Sequence, residues 1–140
     1  MEQDLVNARE LLSSGGYTCV VCRGSTTYTA TERGVKPLLA WLEEGADFSC
    51  ASAADKVVGK AAAMLYCLLR VRAVHAGVLS KPARQVLDRQ GVAVTWDTLV
   101  EAIENRTKTG LCPMEQATAL IDDPAGAVAV IRSKLRELNQ

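Results

Sequence analysis

The sequence predicts a single α/β domain of three layers, α/β/α, in which helices cover both faces of a mixed β-sheet. Segments of strand-like composition alternate with segments whose apolar residues recur at helical spacing, and such alternation is typical of layered α/β folds. The first two strand-like segments are separated only by Gly24 and Ser25, which is typical of a β-hairpin. The 140 residues, 49% of them hydrophobic, suffice for one domain with its own core.

The first half of the chain yields a helix, a hairpin and two further helices. Leucines at helical spacing predict a helix over residues 1–14, and a pair of glycines ends it. Val, Thr and Tyr predominate in residues 17–23 and 26–31, which are therefore the predicted hairpin strands. Leucines recur on one side of residues 35–44. Residues 52–71 are predicted as one long helix, because residues 57–69 within them are almost continuously apolar and a buried helix has no polar face.

The second half alternates short strands with helices. Strands are predicted at 73–79 and 92–96, and helices at 81–89, 98–105, 113–121 and 124–138. Gly91 marks the end of one helix, and Val128, Ile131, Leu135 and Leu138 form a single apolar stripe on the last one. The whole chain, residues 1–140, is predicted to be one domain without internal repeats or linkers.

Composition narrows the class of function. The formal net charge is zero, whereas nucleic-acid binding or binding to an acidic membrane requires a basic excess. No segment approaches the ~20 apolar residues of a membrane span. The beginning of the chain is acidic and does not resemble a signal peptide. We therefore expect a cytoplasmic protein that binds neither nucleic acid nor membrane, with homo-oligomerisation left open.

The five cysteines are expected to be reduced, and most of them to be small buried residues: Cys19, Cys22, Cys50, Cys67 and Cys112. Cys19 and Cys22 have C-x-x-C spacing. On a strand, however, residues three apart point to opposite faces, so these two thiols are not expected to bind one metal ion.

The first polar cluster comprises Asp55, Lys56, Gly59 and Lys60. In the predicted helix, Ser52 and Asp55 resemble a capping box, while Lys56 and Lys60 lie on one face and repel each other. An anion bound near the helix N-terminus would relieve that repulsion, and Gly59 would permit its close approach. The alternative is two lysines that extend from a buried helix into solvent.

The second polar cluster is centred on Cys112. Cys112 is a predicted N-cap, Pro113 suits the first helical position, and Glu115 lies in the first turn. The positive end of the helix dipole favours a thiolate, whereas a nearby carboxylate opposes it. Glu115 is alternatively a general base. The competing interpretation is that Cys112 is a buried spacer.

Two further positions have both functional and structural interpretations. Asn105 and Arg106 offer donors and acceptors for a carboxylate or phosphate, or they end the preceding helix. His75 is predicted to be a half-buried strand residue with a backbone partner rather than a catalytic group.

Three strings carry a resemblance to a known family. They are Arg33-Gly34-Val35-Lys36-Pro37-Leu38-Leu39, then Asp55-Lys56-Val57-Val58-Gly59-Lys60, and Asn105-Arg106 followed by Thr109-Gly110-Leu111-Cys112-Pro113-Met114-Glu115. Through them, residues 17–120 resemble an uncharacterised bacterial domain of unknown function with a cytidine-deaminase-like fold. The resemblance implies a three-layer α/β/α domain with a mixed sheet and brings no assigned activity. The predicted helix at 124–138 lies beyond the matching part.

That likeness raises the question of zinc. Zinc deaminases combine His-x-Glu or Cys-x-Glu with Pro-Cys-x-x-Cys, and the glutamate moves protons. Here His75 is followed by Ala76-Gly77, and the order at the second position is Cys112-Pro113. We therefore expect neither a metal site nor any other cofactor.

The expected function is a cleft for an anionic small molecule, such as a nucleotide. Lys56, Gly59, Lys60, Asn105 and Arg106 are the predicted ligand-binding residues. In a metal-independent enzyme, Cys112 would be the nucleophile or sulfur carrier, and Asp55 or Glu115 would move protons. The alternatives are a non-catalytic binding or regulatory module, and a structural subunit that docks a partner through its terminal helices.

Overall fold

The computed structural model describes residues 3–32, 34–104 and 110–138. The helices are α1 (Gln3–Ser14), α2 (Lys36–Glu43), α3 (Lys60–Leu69), α4 (Lys81–Arg89), α5 (Pro113–Thr118) and α6 (Pro124–Leu138). The strands are β1 (Cys19–Arg23), β2 (Thr26–Ala30), β3 (Ser52–Val58), β4 (Ala73–Ser80) and β5 (Ala93–Val100).

The strands form one mixed sheet in the order β2-β1-β3-β4-β5. β1 is antiparallel to both of its neighbours, whereas β3, β4 and β5 are parallel to one another. Each parallel crossover contains a helix, as such connections require. The predicted single α/β domain with a mixed sheet flanked by helices is therefore confirmed.

The two faces of the sheet are covered differently. α1 packs on one face, where Ala8 contacts a small apolar cluster that includes Val20, Cys22 and Ala54. The larger core lies on the other face, between the sheet and the remaining helices, and includes Cys19. Cys19 and Cys22 thus lie on opposite faces, as the strand periodicity predicts.

The prediction of one helix over residues 52–71 is wrong. Residues Ser52–Val58 form the central strand β3, Gly59 is the N-cap, and the helix begins only at Lys60. The apolar run that begins at Val57 passes from the end of β3 through Gly59 into α3, so its periodicity does not separate the strand from the helix. The proposed capping box of Ser52 and Asp55 is absent, and Lys56 and Lys60 do not share a helix face.

The prediction of a helix over residues 98–105 is also wrong. β5 continues to Val100, because Thr98, Leu99 and Val100 pair with the end of β4. The backbone N–H and C=O groups of these residues form hydrogen bonds in this parallel ladder rather than within a helix. β-Branched residues are also favoured in strands. Asn105 lies outside the described residues.

The site region lies at the carboxyl edge of the three parallel strands. α3 and α4 begin at this edge, directly after β3 and β4, and the segment after β5 leads to α5. The amide of Lys56 donates to the Thr18 carbonyl, which joins the end of β3 to the beginning of β1. Crevices at the carboxyl ends of strands are common ligand sites in open α/β sheets.

Each of the two terminal helices buries part of its apolar side within the domain. Leu5 and Ala8 of α1 and Ala127 and Ile131 of α6 are all buried. Among the described residues, no helix has the length and apolar character needed to cross a membrane.

Candidate functional site

A cavity of about 280 Å³ opens at this carboxyl edge. Most of its lining is apolar, and its polar residues belong to β1, β3 and α5 or directly precede β1 and α5. The lining residues are Thr18, Cys19, Gly34, Val35, Asp55, Lys56, Val57, Gly59, Ala61, Ala62, Ile103, Cys112, Met114 and Glu115. An apolar cavity with a few convergent polar groups is the usual form of a small-molecule site.

Asp55 is the acceptor end of a buried hydrogen-bond chain. The Tyr66 hydroxyl donates to Asp55 Oδ2 at 2.6 Å, and the Val57 amide donates to Oδ1 at 3.2 Å. Cys19 Sγ lies 2.9 Å from Tyr66 Oη. Because the only hydroxyl proton of Tyr66 is given to Asp55, the thiol is the donor in the Cys19–Tyr66 contact. The chain therefore runs from Cys19 through Tyr66 to Asp55.

Burial dominates the electrostatics of this chain. It raises the pKa of Asp55 to about 6, although the hydrogen bonds from Tyr66 and the backbone oppose the shift. Burial and the neighbouring Asp55 charge raise the pKa values of Cys19 and Tyr66 well above their usual ranges. Cys19 and Tyr66 therefore keep their protons at neutral pH, while Asp55 titrates just below it.

Glu115 caps the neighbouring helix. Its Oε1 accepts a hydrogen bond from the Lys60 amide at 2.5 Å, in the first turn of α3. A carboxylate at a helix N-terminus is favoured by the unpaired amides and by the helix dipole. Burial raises the pKa of Glu115, while contacts with Lys60 and Ser80 oppose that rise. Glu115 is thus a structural cap as well as a member of the cavity lining.

Gly59 provides the space for that cap. A Cβ atom at this position would collide with Glu115 Oε1 and would lie 3.1 Å from Ile103 Cγ1. The absence of a side chain, which the sequence suggested would admit a ligand, instead admits the carboxylate of Glu115.

Lys60 completes a reciprocal connection between α3 and α5. Its Nζ donates to the Ala119 carbonyl at 3.0 Å, at the C-cap of α5. One end of α5 therefore caps α3 through Glu115, and Lys60 of α3 caps the other end of α5. Lys60 adjoins the cavity but is not among its lining residues.

Lys56 and Cys112 are the more accessible polar side chains of the lining. Lys56 is exposed at the end of β3, and none of the described residues forms an ion pair with it. Cys112 is half-buried at the N-cap of α5, and its amide donates to the Ile103 carbonyl at 2.9 Å. No hydrogen bond joins its thiol to another described side chain.

The structure thus brings together most of the residues singled out from the sequence. Asp55, Lys56, Gly59, Cys112 and Glu115 line one cavity. Asn105 and Arg106 lie outside the described residues. In the described part of the chain, no group of three or more His, Cys, Asp or Glu side chains is arranged to hold a metal ion.

Sequence reasoning missed Tyr66 and Cys19. One signal was available for Tyr66: it is the only phenol in the apolar segment after Gly59, and a buried tyrosine hydroxyl usually has a partner. The partner could not be identified, because Asp55 was assigned to the same helix rather than to a neighbouring strand.

His75 is buried on the α1 face of the sheet. Its Nδ1 lies 2.7 Å from Thr95 Oγ1, and its Nε2 lies 3.3 Å from Asp97 Oδ1. Side chains on β5, rather than the expected backbone group, are therefore its partners. Burial and the charge of Arg9 lower its pKa against the opposing influence of Asp97.

Comparison with known proteins identifies the family. Residues 7–135 match the family described as domain of unknown function DUF1893, and the chain belongs to that family. The fold is similar to the crystal structure of a DUF1893 family protein, TM1506, from Thermotoga maritima, with a TM-score of 0.88. The two chains are 24% identical over 96% of this chain and 92% of the other. No curated protein matches the chain.

The cap between Glu115 and α3 predicts a coupled effect of two substitutions. We expect Gly59→Ala and Glu115→Ala each to lower the free energy of unfolding by ~1–2 kcal/mol, the usual cost of losing a helix cap. We expect little further loss from Gly59→Ala when Glu115 is already alanine, because the colliding carboxylate is gone. Urea unfolding of the two single variants and the double variant measures this coupling. Gly110→Ala is the control, since no atom lies within 4 Å of its added Cβ. If the losses of the two single variants simply add in the double variant, the two substitutions do not act through the same cap.

The raised pKa of Asp55 predicts a loss of stability as pH increases. Between its ordinary pKa of 3.8 and about 6, the folded protein retains the Asp55 proton and the unfolded chain releases it. Proton linkage then makes the free energy of unfolding fall with increasing pH across this range. The Asp55→Asn variant lacks this linkage. Over this pH range, its free energy of unfolding should therefore increase by roughly 2–3 kcal/mol relative to that of the parent. Urea unfolding at a series of pH values measures this slope, and a constant difference would rule out the shift.

Proposed function

We propose that this DUF1893 protein binds a compact anionic small molecule, of about nucleotide size, in the cavity at the carboxyl edge of the sheet. The observation that carries the proposal is the convergence of Lys56, Asp55 and Cys112 on one largely apolar cavity. Lys56 supplies the charge for the anionic group, because it is exposed and no described acid neutralises it. Lys60 contributes indirectly, through the cap that holds α5 beside the cavity.

Asn105 and Arg106 remain proposed ligand-binding residues because they follow Glu104, which forms a β-bridge with Leu111 close to Cys112. The cytidine-deaminase-like arrangement belongs to the same proposal and is supported by a cavity located where β3 ends and α3 and α5 begin. A cytoplasmic location is also proposed and is supported by five cysteines that are all unbridged.

We expect an anion to stabilise the protein through Lys56. A thermal-shift screen of nucleoside monophosphates, phosphosugars and carboxylates should find a compound whose effect weakens with added salt. Binding to the folded state adds ~2.7 kcal/mol of stability when the free ligand is at about a hundredfold excess over its Kd. Lys56→Ala should abolish the effect, whereas Lys134→Ala on α6, outside the cavity lining, should preserve it. An equal response from the Lys56 variant, or no stabilising anion, would refute the proposed anion site.

A metal-independent enzyme is the second candidate function. Cys112 would attack a bound electrophile, and Asp55 would accept or return a proton from a pKa of about 6. The presence of both groups in one cavity favours this function. The capping role of Glu115 and the lack of a described base on the Cys112 thiol favour simple binding instead.

Cys112→Ser separates these two functions. In an enzyme with a cysteine nucleophile, the variant should still bind the stabilising anion but should lose at least a hundredfold in turnover, because a serine hydroxyl is far less ionised. In a binding module, parent and variant should bind alike and neither should convert the ligand. Chromatography of the ligand after incubation, together with calorimetric Kd values, distinguishes the cases. Cys50→Ser, at an exposed position, is the control.

A further inference from the structure

The protein gives Asp55 hydrogen-bond donors only. Tyr66 donates to one carboxyl oxygen and the Val57 amide to the other, while the Cys19 thiol fixes the direction of the Tyr66 hydroxyl. The Lys56 amide is a further backbone donor to this carboxylate. The two carboxylate oxygens have four lone pairs together, so at least one acceptor position remains. Asp55 is part of the cavity lining, and this position is therefore available to a bound molecule.

No described cation compensates the buried Asp55 charge. Asp55 is only 9% exposed. None of the described lysine, arginine or histidine side chains forms an ion pair with its carboxylate. A buried carboxylate without a cationic partner gains strongly from an additional donor. Glu115, the second buried carboxyl of the lining, is already engaged by the Lys60 amide.

The buried and exposed parts of the cavity lining therefore carry polar groups of opposite charge. Its buried part presents carboxyl acceptors, and Lys56 at the exposed end of β3 is the cationic side chain among the described lining residues. The wall between them is apolar, with Val57, Ala62 and Met114 as examples. An anion placed beside Asp55 and Glu115 would be repelled by both, whereas an anion beside Lys56 would be attracted.

We infer that the cavity selects a ligand with two distinct ends: an amine or similar N–H donor that binds Asp55, and an anionic group that binds Lys56. This inference rests on the proposed function and adds the orientation and chemical class of the ligand. Tyr66 is a positioning residue, because it holds the Asp55 carboxylate and does not itself line the cavity.

Ionisation of Asp55 should control this selection. Tyr66 of α3 contacts Asp55 directly and Cys19 of β1 contacts Tyr66, while Lys56, Cys112 and Glu115 are the other titratable residues of the same cavity lining. The turn before α2 and the segment after β5 contribute only Gly34, Val35 and Ile103 to the described lining, and His75 of β4 lies on the opposite face. An N–H donor binds the ionised carboxylate, so its affinity should rise as pH passes through the Asp55 pKa of about 6.

A matched pair of sulfonates tests the inference. Sulfanilate carries an aromatic amine opposite its sulfonate, and 4-methylbenzenesulfonate carries a methyl group of similar size in its place. Both ligands keep their charge between about pH 5 and about pH 8, so any pH dependence of the affinity ratio comes from the protein. Calorimetric Kd values for both compounds should be measured across that range with the parent, Asp55→Asn, Tyr66→Phe and Lys56→Ala.

Near pH 8 we expect sulfanilate to bind about tenfold more tightly than 4-methylbenzenesulfonate, because one hydrogen bond to a charged group contributes about that much. Near pH 5 the ratio of the two Kd values should approach one. Asp55→Asn should remove both the preference and its pH dependence. Tyr66→Phe should move the midpoint of this pH dependence to higher pH, because the Asp55 carboxylate loses a hydrogen-bond donor and its pKa rises. Lys56→Ala should weaken both compounds by a similar factor.

The contrary results separate the two proposals. Equal binding of the two sulfonates, with both affinities reduced by Lys56→Ala, would overturn the inference and leave the anion site intact. A preference that persists in Asp55→Asn would overturn it as well. Binding of neither compound, or binding that Lys56→Ala does not weaken, would overturn both the inference and the anion site. If the midpoint of the pH dependence is the same in Tyr66→Phe as in the parent, Tyr66 is not a positioning residue for Asp55.

Discussion

The contact between Glu115 and the Lys60 amide is the interaction on which the cavity depends. It joins α5, which follows the last strand, to the beginning of α3, which follows the central strand. The return contact from Lys60 Nζ to the Ala119 carbonyl holds the other end of the same short helix. α5 has only six residues and little intrinsic stability, so its position comes from these contacts and from packing. Through them Cys112 and Met114 are held as one wall of the cavity, opposite β1 and β3.

The second constraint is the buried carboxyl of Asp55. Its burial in the central strand costs free energy at neutral pH, and the hydrogen-bond donors that the protein supplies offset only part of that cost. Polar groups that are retained at a cost to stability are frequent at functional sites. This is the physical reason for assigning the ligand's donor end to Asp55 rather than to the accessible residues.

The sequence was sufficient to predict the class of fold and several residues of the cavity lining, but not their local geometry. The hairpin, α4 and α6 could be predicted because their turns and apolar stripes are local signals. β3 could not, because the apolar run that begins at Val57 continues from the end of the strand into α3. Lys56 and Lys60 were therefore paired on one helix face, whereas they belong to a strand and to the helix after it. Asp55, Cys112 and Glu115 were nonetheless found together, because both polar clusters mark positions where the chain passes the carboxyl edge. The Cys19–Tyr66–Asp55 chain depends on strand pairing, which no local pattern reveals.

We propose that the cavity holds a small anion beside Lys56. A crystal structure of the protein with the anion that stabilises it most tests this proposal. We expect electron density for that molecule between β3 and α5, with its anionic group within hydrogen-bond distance of Lys56 Nζ. Density only at another surface, with the cavity occupied by solvent alone, would refute the anion site.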